Sequence, residues 1–278
     1  MRGRRRGGSR PGNRRRGGRR LEREQPLSGR AAIVTGGGTG IGRATSLALA
    51  AAGASVLVVG RRLGPLRSAV EAIHAAGGSA SALRADVRRP ADCRRSVETA
   101  RRRFGRLDIL VNNAGVYGEG SVDRTSLARW REVLDTNLTG VYLMSHYAVP
   151  LMRRSGGGSI ANVSSVLGLV GAESAASYCA SKGGVVLLSK AMALDHARDR
   201  IRVNAVCPGV VDTAMGRGTE ARMTPAVREM QKYARAVHPD GRPIDPAEVA
   251  ALIVHLASDA GIGITGAAFS IDGGWSAR

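Results

Sequence analysis

Tyr178 and Lys182 stand four residues apart, and chemistry is first readable in that pair. On a helix, residues i and i+4 share one face a turn apart. A free phenol ionises near pH 10, too high for an efficient base at neutrality. A cation held close favours the phenolate and lowers that value, so the pair is suited to moving a proton to or from an oxygen. Thirteen residues earlier, Ser165 follows a strand-like run and offers a hydroxyl to the same oxygen, with Ser164 beside it as a rival.

A second chemical feature lies far upstream. A short apolar run ends in Thr35-Gly36-Gly37-Gly38-Thr39-Gly40-Ile41-Gly42, and a helical pattern opens at once from Ile41. Glycines let a backbone approach a pyrophosphate, and a helix start offers unpaired N–H groups to its charge. The spacing is TGxxxGxG, through Gly36, Gly40 and Gly42, rather than GxGxxG. No Gly-Lys-Ser/Thr follows, which excludes a P-loop. The next apolar run ends in Gly60-Arg61-Arg62. A carboxylate at that place would pair with the ribose hydroxyls of NAD. Two guanidiniums suit a 2′-phosphate instead, so NADP(H) is expected in preference to NAD(H).

The elements that must position these residues alternate along the chain. Strands are predicted at 31–35, 55–59, 79–85, 107–111, 159–163, 201–206 and 267–271. Helices are predicted at 41–52, 65–76, 90–104, 126–152, 175–197 and 246–257, with helical fragments near 227–236. Continuous apolar strands separated by helices imply a parallel sheet covered on both faces. The fold class is therefore α/β, a single doubly wound Rossmann-like domain with a seven-stranded parallel sheet. That oxidoreductase domain is expected over 27–278. The irregular stretch at about 213–245 is expected to act as a lid.

Composition narrows the field. The chain has 278 residues and 43% hydrophobic residues but only 3% aromatics, so its core must be built of Ala, Val, Leu and Ile. No apolar run reaches the ~20 residues of a membrane span, and a soluble, cytoplasmic protein is expected. Of the net charge of +20, eleven arginines fall within residues 1–24. The Arg/Gly-rich segment 1–26 is expected to be disordered and carries no secretory signal. An inert extension, a targeting arm and a weak nucleic-acid-binding arm all fit it. Cys93, Cys179 and Cys207 form no CxxC pair, which fits reduced thiols. The five histidines show no ligand spacing, and no metal is expected.

Further segments arrive in a fixed order: Asp86-Val87, Asn112-Asn113-Ala114-Gly115, Asn137, Ser165, Tyr178, Lys182, then Pro208-Gly209-Val210-Val211-Asp212-Thr213. Together with TGxxxGxG this set resembles the short-chain dehydrogenase/reductase family over roughly Leu27–Trp275, including members similar to 3-oxoacyl-[acyl-carrier-protein] reductases. Sugar and steroid dehydrogenases also share it. The resemblance implies hydride transfer between NADP(H) and a carbonyl or secondary alcohol, small or carrier-linked, with Tyr178 as general acid/base. Spacing to the tyrosine within the family selects Ser165 over Ser164. Lys182 would hold the nicotinamide ribose, and Asn137 would position a water leading from Lys182 to solvent. Asp86 and Val87 would contact adenine. Asn113, Ala114 and Gly115 would line the ribose side, while Pro208, Gly209, Val211 and Thr213 would meet the carboxamide end. A homo-oligomer, tetramer or dimer, is implied as well. Two other readings stay open: a non-catalytic NADP(H)-sensing regulator, and nucleic-acid binding through the basic arm. Cys179, Trp130 and Trp275 are expected to pack in the core or at an interface.

Overall fold

Strand β1 (Ala31–Thr35) is buried along its whole length, as a central strand of a doubly covered sheet must be. Its residues alternate between two cores: Ala32 and Val34 face one cluster, Ile33 the other. The computed structural model describes Gly3, residues 25–213 and residues 225–277. The expected disordered extension 1–26, apart from residues 3, 25 and 26, and the part of the expected lid at 214–224 lie outside the described residues.

Six further strands join β1: β2 (Ser55–Gly60), β3 (Ser79–Arg84), β4 (Ile109–Asn112), β5 (Gly158–Val163), β6 (Ile201–Pro208) and β7 (Ala268–Ile271). All pair in parallel in the order β3-β2-β1-β4-β5-β6-β7. The chain winds outward from β1 to β3, then returns to place β4 on the other side of β1. At that switch point the crossovers leave in opposite directions, opening a crevice at the carboxyl ends of the strands.

Helices α1 (Gly40–Ala51), α2 (Leu63–Ala75) and a late helix over Pro246–Ala257 cover one face, burying Leu49, Leu66, Ile73, Ile253 and Leu256. On the other face α3 (Pro90–Phe104) begins on a proline, where the missing N–H costs nothing. It stops at Gly105 in the left-handed region, the conformation glycine adopts without strain. The expected single helix over 126–152 is instead α4 (Leu127–Leu134), a π-helical turn at Asp135–Thr139, and α5 (Gly140–Arg154). Apolar periodicity runs through all three, so the break leaves no trace in the hydrophobic pattern. Helix α6 (Ala176–His196) follows β5, and α7 (Pro225–Val237) follows β6. The late helix, α8, starts with a full capping box: the Asp245 carboxylate accepts the Ala247 N–H, and Glu248 reaches back to the Asp245 N–H. Among the described residues no helix is long and apolar enough to cross a membrane.

Candidate active site

The glycine-rich turn leaves β1 with Gly36 at φ +63° and Gly40 at φ +52°, backbone angles that favour glycine. Thr39 caps α1 without a side-chain hydrogen bond, and no acid stands in the first turn. The helix therefore presents its first N–H groups to whatever anion lies beyond them. A Cβ at Gly42 would drive into the Gly36 carbonyl and the Asn113 amide, so the second turn of the motif admits only glycine.

Thr35 and Asn113 brace this turn from β4. Thr35 Oγ1 accepts the N–H groups of Asn113 (3.0 Å) and Ala114 (3.1 Å), and donates to the Val111 carbonyl (3.3 Å). Asn113 Nδ2 donates to the carbonyls of Thr35 (3.0 Å) and Gly36 (3.3 Å). The Asn113 side chain thus fixes the turn as well as lining the crevice.

The crevice has two lobes that share Gly36, Thr39, Ala114 and Gly115. Arg61, Arg62, Asp86 and Val87 line the first. Among the described residues Arg61 and Arg62 make no ion pair and are exposed at the mouth. Asp86 is held below the usual carboxylate range chiefly by its hydrogen bonds to Arg88. Gly40, Ile41, Asn113, Ser165, Tyr178, Lys182, Pro208, Gly209, Val211 and Thr213 line the second. The loop after β6 reaches across to place Thr213 against Gly40. Gly42 and Asn137 do not line either lobe and stand behind them.

At the deep end, Tyr178 and Lys182 both face the second lobe from α6, with Lys182 Nζ 5.6 Å from the centre of the Tyr178 ring. Nζ donates to the Val163 carbonyl (2.8 Å). Burial pushes the Tyr178 phenol up to about 12, against a hydrogen bond from Ser165 that favours its ionised form. Burial also brings Lys182 down to about 8. The expected lowering of the phenol by the ammonium is therefore not what the protein's own groups produce, because desolvation disfavours the charge on both. Ser165 caps a short 3₁₀ turn, Val166–Gly168, accepting the Leu167 N–H (3.2 Å). Ser164 donates to the Lys182 carbonyl (2.8 Å), which spends its hydroxyl on holding α6 to β5.

Asn137 sits fully buried in the π turn. Its Oδ1 accepts the Val116 N–H (2.8 Å), and its Nδ2 donates to the Val116 carbonyl (2.9 Å) and to Ser181 Oγ (3.1 Å). Both polar atoms of the side-chain amide are engaged with protein groups. Trp275 packs against the cluster of Val166, Leu167 and Ala175, as expected for a core residue. It lines the second lobe beside Tyr117, Tyr233, Val166 and Leu167. Its ring packs edge-on to Tyr233 at 5.9 Å, and Tyr117 lies 4.9 Å from Tyr178. Cys179, as expected, packs among Val170, Ala172 and Trp275. The aromatic wall carries no periodic signal, since its members come from three distant segments.

A family model described as Enoyl-(Acyl carrier protein) reductase matches residues 36–276. The chain is 38% identical to a cyclohexanol dehydrogenase of Acinetobacter sp. (strain SE19), covering 91% of this chain and 97% of that protein. It is 40% identical to a cis-4-hydroxycyclohexanecarboxylate dehydrogenase of Sinomonas cyclohexanicum, covering 89% and 97%. A crystal structure of a short-chain type dehydrogenase/reductase from Mycobacterium marinum superposes with a TM-score of 0.85 at 34% identity, covering 92% of this chain and 98% of that one. The chain belongs to the short-chain dehydrogenase/reductase family. It is an NAD(P)-dependent oxidoreductase acting on CH–OH groups.

Proposed function

We propose that the protein interconverts a secondary alcohol and its ketone with NADP(H), and that Tyr178 is the general acid/base. The observation that carries this reading is the convergence of Tyr178, Lys182 and Ser165 on one crevice with the glycine-rich turn. The crevice fits a dinucleotide: an uncapped helix start, a turn with no room for a Cβ at Gly42, and two lobes in line. When bound, the nicotinamide supplies or takes up the hydride. Tyr178 gives its phenolic proton to the substrate oxygen in reduction and receives it in oxidation. Ser165 hydrogen-bonds the same oxygen, and Lys182 holds the phenol's surroundings cationic. Arg61 and Arg62 are placed for a 2′-phosphate, which favours NADP(H) over NAD(H).

Lys182 is the one charged side chain lining the second lobe among the described residues. With Val116, Tyr117, Val166, Leu167, Tyr233 and Trp275 as walls, the lobe suits an alicyclic or aliphatic alcohol, in line with the two relatives named for cyclohexane alcohols. Exposed Tyr142 on α5 and Leu187 and Leu194 on α6 support a homo-oligomer. Three free thiols support a reducing, cytoplasmic setting.

The test is Tyr178→Phe. Turnover of cyclohexanol with NADP⁺ should fall at least about a hundredfold, the range of general acid–base catalysis, while NADPH binding persists. Near-full activity in that variant would remove the acid/base role.

A further inference from the structure

His238 follows α7 and is 1% exposed. Its two ring nitrogens meet opposite partners. Nε2 faces the backbone N–H of Val210 at 3.0 Å, and Nδ1 faces the Arg242 carbonyl at 2.6 Å. A backbone N–H can only donate and a carbonyl can only accept. The imidazole must therefore be neutral, with its proton on Nδ1 and a lone pair on Nε2. Gly209 makes room for this contact, since a Cβ there would strike Nε2.

Val210 belongs to the loop that lines the second lobe. That loop is held by a row of bonds. Gly209 N–H donates to Ile271 (3.0 Å), Ile244 N–H to the Val210 carbonyl (2.8 Å), and Asp212 N–H to Ile244 (2.9 Å). All of these are backbone bonds and indifferent to pH. The Val210 N–H rests instead on a titratable side chain.

We infer that His238 is a positioning residue for the cofactor: its neutral Nδ1–H form holds the Pro208–Thr213 loop against the crevice through the Val210 amide, and protonation at Nε2 releases that hold. The inference rests on reading this loop as the nicotinamide end of the site. An imidazolium would turn an N–H toward the Val210 N–H, replacing a hydrogen bond by a repulsive pair.

Charged groups near the ring among the described residues include two carboxylates and a guanidinium. Asp240 lies 3.9 Å from Nδ1, and Asp272 interacts with the ring electrostatically from the turn after β7. Arg242 pairs with Asp240 (3.3 Å) and, on α8, with Glu248 (2.8 Å). The Trp275 ring closes the remaining side at 5.9 Å. Neither carboxylate supplies an acceptor at Nε2, so an N–H placed there would meet only the Val210 N–H.

Two substitutions separate the halves of the ring. His238→Gln keeps an acceptor near the Nε2 position, and His238→Asn keeps a donor near Nδ1. The dissociation constant of NADP⁺ is measured by calorimetry between pH 5.5 and 8.0 for both variants and the unmodified protein. At pH 8.0, His238→Gln should bind within about threefold of the unmodified protein, and His238→Asn about tenfold more weakly, the effect of leaving one buried amide without an acceptor. Toward pH 5.5 the unmodified protein should lose about tenfold more affinity than His238→Gln. The glutamine variant retains Lys182 and the cofactor's own phosphate, so the difference between the two profiles belongs to His238.

Equal binding by the two variants, or superimposable pH profiles, would overturn the inference and leave the proposed reaction intact. Failure of the unmodified protein to bind NADP⁺ at any pH would remove both. Should either variant not fold, nitrogen-15 NMR of the unmodified protein decides the matter. An unprotonated Nε2 at pH 8 that loses its lone pair on acidification upholds the role, and an Nε2–H tautomer defeats it.

Discussion

Asn137 holds both polar backbone atoms of Val116, accepting from its N–H at 2.8 Å and donating to its carbonyl at 2.9 Å. Val116 lines the second lobe and follows Gly115, the residue facing Lys182 Nζ. The π turn lets this happen: an extra residue in the helix swings the amide out of the α4–α5 line toward the loop after β4. Asn137→Asp keeps the shape and the acceptor but sets an oxygen against the Val116 carbonyl. It should cost about 1–3 kcal/mol, seen as a lower thermal midpoint and a fall in kcat/KM of at least about tenfold. Turnover equal to the unmodified enzyme would show that the clamp does not position the site.

Among the described residues Arg61 and Arg62 make no ion pair at the mouth of the first lobe, and the role proposed for them should show in a ratio of cofactors. The unmodified enzyme should have a higher kcat/KM with NADPH than with NADH. Arg61→Ala and Arg62→Ala should each reduce that ratio, by about tenfold for loss of a charge-assisted hydrogen bond. The comparison uses one ketone and one buffer throughout. Equal use of both cofactors by the unmodified enzyme would end the argument.

Gly42→Ala tests the tightness of the phosphate turn. The new methyl would press on the Gly36 carbonyl and the Asn113 amide, both backed by buried structure. The turn must open or the helix must shift. NADPH affinity should drop by at least about tenfold, with a stability loss of about 1–3 kcal/mol for overpacking. An alanine variant with unchanged affinity would mean that the turn yields without cost.

Much of this architecture was readable from residue patterns because several strands are short, largely apolar runs. Ala31–Thr35 and, within β2, Val56–Val59 are buried throughout, and such runs cannot belong to an amphipathic helix of ordinary length. The glycine turn and the Tyr178–Lys182 pair were readable for a different reason, since each is local in the chain. What escaped is non-local. Trp275 lines the second lobe and His238 bonds the loop beside it, from segments more than thirty residues apart, and no spacing rule joins them. Asn137 was legible as a site residue but not as a clamp, because the π turn that aims it follows from packing. Thr35 stood in full view at the head of the glycine run. Its triple hydrogen bond becomes visible only once β4 lies beside β1.

Burial of Tyr178 and Lys182 has a signature in stability. Lys182 ionises at about 8 in the folded protein against an ordinary 10.5. Between those values the unfolded chain holds the extra proton, so stability rises with pH. Below about 8 the lysine carries its proton in both states and its penalty is constant. Tyr178 acts in the opposite sense, since a phenol raised from 10 to about 12 keeps its proton longer when folded and loses stability over that window. Urea midpoints of the unmodified protein and of Lys182→Met, taken at pH 7.5, 9.0 and 10.0, separate the two. The unmodified protein should gain on the variant as pH rises, by on the order of 3 kcal/mol over the full window at about 1.4 kcal/mol per pKa unit. Below about pH 8, where the phenol keeps its proton and Lys182 its charge, carbonyl reduction should vary little while alcohol oxidation climbs with pH. A stability difference that is flat across this range would place Lys182 in contact with solvent or with an anion, and the buried pair would no longer describe the site.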